Sequence, residues 1–268
     1  MEKADRKTRL AVVSAMLQRS PGKYYSLKVF CDMFSAAKST MSEDIAILRG
    51  MFKKYGQGDI EVALGAGGGV RFVPAPSAEQ KAEALQEISD QLSDPSRILP
   101  GGYIYTVDIF SNPQYVTAMG DILAGMFARA NPDFVATVET KGIPLAFSVA
   151  RALSKPLVIA RRDLKITEGS VVTINYLTGS SRRMMTMSMS KRAVSPGQKA
   201  LLIDDFIAGG GTVHALCEMM KEFSITVVGC GTAIATKQPE RKLVDNYRTL
   251  LVLEEVDAAG ERIVIHPA

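Results

Sequence analysis

Two adjacent carboxylates, Asp204 and Asp205, close an apolar run at 200–203, and Gly209, Gly210 and Gly211 follow before Thr212 opens a helical pattern. An ionised carboxylate only accepts hydrogen bonds, so a pair of them suits neighbouring hydroxyls. Glycine lets the backbone approach a ligand closely, and the amides that open a helix attract an anion. The stretch "ALLIDDFIAGGGTVHAL" therefore suits a ligand carrying both hydroxyls and phosphate, with Asp204, Asp205, Phe206, Ala208, Gly209, Gly210, Gly211 and Thr212 as candidate contacts. The alternative is a tight strand-to-helix turn with solvated acids.

Residues with this task need a scaffold. From Tyr103 onward apolar strands alternate with helices, the pattern of a mainly parallel α/β sheet. The expected strands are "FVATV", "PLVIA", "KALLID", "ITVVGCGTAI" and "TLLVLEE", and the expected helices include "PQYVTAMGDILAGMFARA", "IPLAFSVARAL" and "TVHALCEMMKEF". Ligands of such sheets gather beyond the carboxyl ends of strands. Two loops meet that rule, the acidic-glycine stretch and "ETKGIP" after 134–138, which supplies Thr140, Lys141 and Gly142. "ARRDLKITEG" adds Arg161, Arg162 and Lys165 near the same edge, and Tyr103 follows a glycine pair. Met185, Met187 and Met189 alternate with Thr186, Ser188 and Ser190, a strand period.

The first 75 residues differ in charge and pattern. They hold 12 Lys/Arg against 7 Asp/Glu, whereas residues 76–268 hold 20 against 21. Leu10, Val13 and Leu17 have helical spacing, "PGKYY" breaks the chain, and "SLKVFCDMF" forms a second short helix after Ser26. A turn and a third helix follow, with Ile45, Leu48 and Phe52 on one face. The start of that helix offers Lys38, Ser39, Thr40 and Ser42, small and basic side chains suited to a DNA major groove. Arg6, Arg9 and Arg71 are further candidate DNA contacts. Apolar stretches at 60–64 and 70–73 flank a glycine-rich turn, a hairpin that makes a wing. Gly65, Gly67, Gly68 and Gly69 do not read as a nucleotide loop, because Pro74 and Pro76 follow in place of a helix. The expected division is a winged helix-turn-helix domain at 1–75 and an α/β domain at 76–268, joined by an amphipathic helix capped by Ser77.

Composition excludes several classes. With 268 residues, 47% of them apolar, the chain can bury two cores. No apolar run approaches the roughly 18 residues of a membrane span, and "MEKADRKTRL" lacks a signal core, so a cytoplasmic location without membrane association is expected. Cys31, Cys217 and Cys230 are odd in number and widely spaced, which points to reduced thiols. Only His214 and His266 are present, too few for a His-based hydrolase or metal centre, and no dedicated protein metal site is visible.

"LLIDDFIAGGGT" resembles the phosphoribosyl pyrophosphate motif of type I phosphoribosyltransferases. The usual threonine before the glycine pair is Gly209, so one hydroxyl contact to the 5′-phosphate is missing and backbone amides must do more. With the winged helix, "AKSTMSED", "ILPGGY", "ATVETKGIPLA" and "KITEGSVVTINYLTGSS", roughly residues 5–255 are similar to the purine operon repressors of Gram-positive bacteria. That resemblance implies a winged helix followed by a type I phosphoribosyltransferase-like α/β domain with a mainly parallel sheet. It further implies a homodimer that binds double-stranded DNA at purine operon control sites and represses purine biosynthesis and salvage genes. Phosphoribosyl pyrophosphate, accompanied by Mg2+, is the implied effector that relieves DNA binding; no cofactor is required and no transferase reaction is implied. Asp204 and Asp205 would take the ribose hydroxyls, and the 208–212 amides with the Thr212 hydroxyl the 5′-phosphate. Thr140, Lys141 and Gly142 would take pyrophosphate, with Arg161, Arg162 or Lys165 assisting and Tyr103 stacking. A hairpin carrying Arg182, Arg183, Lys191 and Arg192 would close over the site as in transferases of this fold, or else merely cover apolar surface with its methionines. The competing reading is an active purine or pyrimidine phosphoribosyltransferase with an appended DNA-binding module.

Overall fold

The computed structural model describes residues 4–63, 65, 68–163, 167, 169–177 and 184–268. The chain divides into two compact units, residues 1–80 with 151–154, and residues 81–150 with 155–268.

In the N-terminal unit, α1 (Arg6–Arg19) starts at Asp5, whose Oδ1 accepts from the Thr8 amide at 2.8 Å. This carboxylate caps the positive end of the helix. α2 (Leu27–Phe34) ends at Ser35, which adopts a left-handed φ of 47°, and Ala36 and Ala37 lead directly into α3 (Lys38–Lys54). That tight turn makes the helix-turn-helix. Phe30, Phe34, Met41, Ile45, Leu48 and Phe52 pack with Val13 and Leu17 of α1, each large side chain contributing about 1.5–3 kcal/mol by leaving water. β1 (Asp59–Ala63) and β2 (Gly69–Val73) pair antiparallel, with Asp59 opposite Val73 and Ala63 opposite Gly69. Ile60, Val70 and Phe72 insert into the same core, so the hairpin is the expected wing; Gly67 at its turn lies outside the described residues. Val13 and Leu17 of the expected helical spacing are buried with Arg9, and Leu10 is half-buried against the same core.

The connecting helix α4 (Ala78–Leu92) opens with a reciprocal cap. Ser77 Oγ accepts from the Gln80 amide at 3.2 Å, and Gln80 Oε1 accepts from the Ser77 amide at 2.9 Å. A short hairpin, β3 (Ile98–Leu99) with β4 (Tyr103–Ile104), then leads to α5 (Val107–Ser111) and α6 (Pro113–Phe127). The main sheet contains β5 (Phe134–Val138), β6 (Leu157–Ala160), β9 (Lys199–Ile207), β10 (Thr226–Thr236), β11 (Tyr247–Asp257) and β12 (Arg262–Pro267). Their order is β12-β11-β10-β9-β5-β6, and every neighbouring pair is parallel except β11 with β12. α7 (Gly142–Leu153) links β5 to β6, and α8 (Gly211–Glu222) links β9 to β10. β7 (Val171–Leu177) and β8 (Met184–Ser190) form a separate antiparallel hairpin. β12 is an addition to the strands expected from sequence. Its Ile263 and Ile265 are buried on alternate positions.

Candidate functional site

β5 and β9 are neighbours, yet the chain leaves them in opposite directions, β5 through α7 toward the β6 edge and β9 through α8 to β10. Their carboxyl-terminal loops therefore flank the point where the connections diverge, which is where open α/β sheets bind ligands.

One wall is the end of β9. Asp204 is 9% exposed, and its Oδ1 accepts the Asp205 amide at 3.0 Å. Burial raises the Asp204 carboxyl well above the usual aspartate value, with the adjacent Asp205 charge adding to it. Burial also raises Asp205, while Lys141 and Arg162 pull it back down. Such carboxylates are costly to ionise alone and gain from hydroxyl donors or from cations. The loop then turns at Gly210, whose φ of 81° lies in the left-handed region. α8 begins at Gly211, so the amides of its first turn lack intrahelical acceptors and favour an anion.

The opposite wall is 139–142, where the Glu139–Thr140 peptide bond is cis. Thr140 and Lys141 are exposed, whereas Gly142 is buried. A Cβ on Gly142 would lie 2.6 Å from Thr137 Oγ1 and 3.1 Å from Asp204 Oδ1. Glycine is what lets the start of α7 rest against the acidic strand end. Beside these walls lies a cavity of about 320 Å³ lined by Tyr103, Lys141, Asp205, Phe206, Ala208, Thr236 and Leu253, among others. Its size falls in the range of small-molecule sites. Five residues expected as ligand contacts thus share one cavity: Tyr103, Lys141, Asp205, Phe206 and Ala208.

Arg161 is bound up differently. Its Nη1 donates to Glu139 Oε2 at 3.3 Å, and the Arg162 amide donates to Glu139 Oε1 at 2.6 Å. Burial pushes the Glu139 carboxyl up, but these hydrogen bonds outweigh it and leave Glu139 below its usual value. Glu139 ties the end of β6 to the β5 loop, a role that sequence spacing does not single out; its signal is a carboxylate in one strand-end loop facing an arginine pair in the next. Lys165, Arg182 and Arg183 lie outside the described residues. Met187 and Met189 are buried in the core of this unit, with Met185 packed against it. The methionines therefore cover apolar surface. Lys191 and Arg192 are exposed.

In the N-terminal unit, Lys38, Ser39 and Ser42 are exposed on the first turns of α3, and Thr40 is half-buried. Arg6 is half-exposed and pairs with Glu43 at 3.1 Å and Asp44 at 3.3 Å. Arg9 corrects the sequence expectation of a DNA contact. It is 8% exposed, its Nε donates to Asp44 Oδ2 at 2.7 Å, and its Nη1 donates to the Ala4 carbonyl at 2.9 Å. Standing in the buried stripe of α1, it ties that helix to α3 and is largely withdrawn from solvent. Arg71 is half-buried on the wing, held by Glu61 at 2.6 Å and stacked over the Tyr24 ring at 4.8 Å.

Among the described residues, no group of three or more His, Cys, Asp or Glu side chains could hold a metal ion. No described helix is long and apolar enough to cross a membrane. Cys31, Cys217 and Cys230 are free thiols.

Residues 5–74 match the family model described as bacterial purine repressor, N-terminal, and residues 107–263 match the phosphoribosyl transferase domain. The chain is 39% identical to the purine biosynthesis transcriptional repressor PurR of Bacillus subtilis (strain 168), over 97% of this chain and 91% of that protein. It is 38% identical to the purine biosynthesis transcriptional activator PurR of Lactococcus lactis subsp. lactis (strain IL1403), over 96% of this chain and 95% of that protein. Among solved structures, adenine phosphoribosyltransferase from Rhodothermus marinus DSM 4252 is similar in fold, with a TM-score of 0.53, 23% identity, and coverage of 63% of this chain and 97% of its own. A winged-helix unit matched by the purine-repressor model, joined to a phosphoribosyltransferase-type sheet and aligned almost end to end with purine biosynthesis regulators, places the chain in the bacterial purine repressor family.

Proposed function

We propose that the protein is a homodimeric repressor of purine biosynthesis and salvage genes that phosphoribosyl pyrophosphate releases from DNA without a transferase reaction. The observation that carries this reading is the carboxylate pair of buried Asp204 and half-buried Asp205, set beside a glycine-lined helix N-terminus and facing Lys141. Asp204 and Asp205 accept the ribose 2′ and 3′ hydroxyls. The amides of 208–212 and the Thr212 hydroxyl take the 5′-phosphate, and Thr140, Lys141 and Gly142 take the pyrophosphate. Magnesium arrives on the pyrophosphate, since a full oxygen cage is not supplied by two adjacent carboxylates.

Lys38, Ser39, Thr40 and Ser42 enter the major groove, while Arg6 and Arg71 reach phosphate from the flanks. Two such units are needed, because one winged helix covers a small DNA surface and paired half-sites multiply the affinity. The ligand regulates by binding the DNA-free form more tightly, and by linkage DNA weakens the ligand by the same factor. Bound pyrophosphate also lowers the positive potential that attracts DNA.

The test is fluorescence anisotropy on purine operon control DNA with phosphoribosyl pyrophosphate and magnesium, run beside assays with each purine and pyrimidine base. Release by the ligand alone, with no nucleotide formed, supports a regulator. Robust nucleotide formation with any base would establish instead the transferase that the fold permits.

A further inference from the structure

Lys242 makes none of the ligand contacts assigned above, yet it is buried behind the loop that would hold the phosphate. It is 8% exposed. Its Nζ donates to the Ala208 carbonyl at 2.7 Å, the Pro239 carbonyl at 3.1 Å and Thr236 Oγ1 at 3.2 Å, so each ammonium hydrogen has an oxygen. Thr236 Oγ1 donates onward to the Gln238 carbonyl at 2.5 Å, leaving its lone pairs for Lys242. The next residue adds a second tie, the Leu243 amide donating to the Gly209 carbonyl at 2.9 Å. A Cβ on Gly210 would lie 3.1 Å from Val244 Cγ1 and 3.3 Å from the Leu243 nitrogen. The glycine loop is therefore seated flush on the segment that carries Lys242.

A buried cation is weak support for stability, because desolvation offsets its attractions. Burial indeed draws the Lys242 ammonium below its usual pKa. Peptide geometry supplies a different task. In a trans peptide the carbonyl and the following N–H point in opposite directions. With the Ala208 and Gly209 carbonyls drawn onto Lys242 Nζ and the Leu243 amide, the Gly209 and Gly210 amides are aimed away from 236–244. An ammonium on the carbonyl also polarises the peptide and strengthens its N–H as a donor.

We propose that Lys242 is the positioning residue of the anion loop, holding the Ala208 carbonyl so that the Gly209 amide is aimed and polarised toward a bound 5′-phosphate. The role rests on the phosphoribosyl reading of the 204–212 loop, and its test separates the two. Full-length parent, Lys242→Met, Lys242→Gln and the exposed neighbour Arg241→Met are compared. Calorimetry with ribose 5-phosphate and with phosphoribosyl pyrophosphate and magnesium is run beside thermal melting and amide spectra of the ligand-free, 15N-labelled proteins. Lys242→Met should weaken both ligands by about tenfold or more and shift the Gly209 amide resonance more than that of Gly231. Lys242→Gln, which keeps an N–H donor, should recover part of the affinity, and Arg241→Met should match the parent. If Lys242→Met does not fold, Lys242→Gln carries the comparison. Parent-like affinity in the Lys242 variant, or an unmoved Gly209 resonance, overturns the assignment. A parent that binds neither ligand removes the phosphoribosyl reading, while the Gly209 resonance still decides whether Lys242 sets that amide.

Discussion

Arg9 and Asp44 form a buried ion pair between the first and third helices, with Nε donating to Oδ2 at 2.7 Å and the Asp44 side chain wholly out of solvent. The pair fixes how α3 is presented. Replacing Arg9 by Met leaves buried Asp44 paired, among the described residues, with Arg6 alone, so the N-terminal unit should melt earlier and bind DNA more weakly. The slope of log affinity against log salt should not change, because no phosphate contact has been removed. A slope reduced by about one would return Arg9 to the DNA backbone.

Lys38→Ala should show the opposite signature. Lys38 is exposed at the start of α3 and packs into no core, so its removal should leave melting unchanged. DNA affinity should fall, and the salt slope should drop by about one as a cation is lost from the DNA face. Gel shifts identical to the parent at every salt concentration would move the DNA face elsewhere.

Two glycines with opposite surroundings give opposite outcomes. In Gly142→Ala the new methyl meets Thr137 Oγ1 at 2.6 Å and Asp204 Oδ1 at 3.1 Å. The cost should be about 1–3 kcal/mol in urea unfolding, accompanied by loss of phosphoribosyl pyrophosphate binding. Gly50 lies inside α3 with open space where its Cβ would be. Gly50→Ala should stabilise by about 0.5–1 kcal/mol, and a destabilised variant would mean that this face of α3 is covered.

The scaffold was legible wherever a periodic apolar pattern met a turn residue. Ile45, Leu48 and Phe52 marked α3, and the acids followed by glycines marked the end of β9 and the start of α8. The residue type of Arg9 points to solvent, whereas its spacing to Val13 and Leu17 places it in the buried stripe. β12 carries a readable alternation in Ile263 and Ile265, but its antiparallel place beside β11 depends on the whole sheet. Glu139 and Lys242 had no local signature. Their partners lie in other loops, and those of Lys242 are mostly backbone carbonyls, which any residue supplies.

Acid and neutral conditions should reveal the strain at the acidic pair. Burial raises the folded-state carboxyls of Asp204 and Asp205 above their unfolded values. Over the interval above the usual aspartate value, the native protein binds more protons than the unfolded chain, so ligand-free stability falls as pH rises through it. Asp204→Asn keeps an Oδ1 acceptor for the Asp205 amide while removing a buried charge. It should be more stable than the parent at neutral pH and lose much of the decline. Urea midpoints at mildly acidic and neutral pH check this, and a variant less stable than the parent at neutral pH would contradict it.

Assembly is checked by sedimentation. A two-fold dimer is expected with and without operator DNA, and a monomer under both conditions would remove that element of the proposal.

Effector sensing by the acidic loop is tested most directly by titrating operator DNA binding with phosphoribosyl pyrophosphate and magnesium, for the parent and for Asp204→Asn/Asp205→Asn. The substitutions lie in the C-terminal unit and leave the DNA-binding residues untouched, so both proteins should bind DNA equally without ligand. Ligand should release the parent, with DNA weakening the ligand by the same factor, and should fail to release the double variant. Equal release of both proteins would show that Asp204 and Asp205 do not hold the effector and belong instead to a strand-to-helix turn.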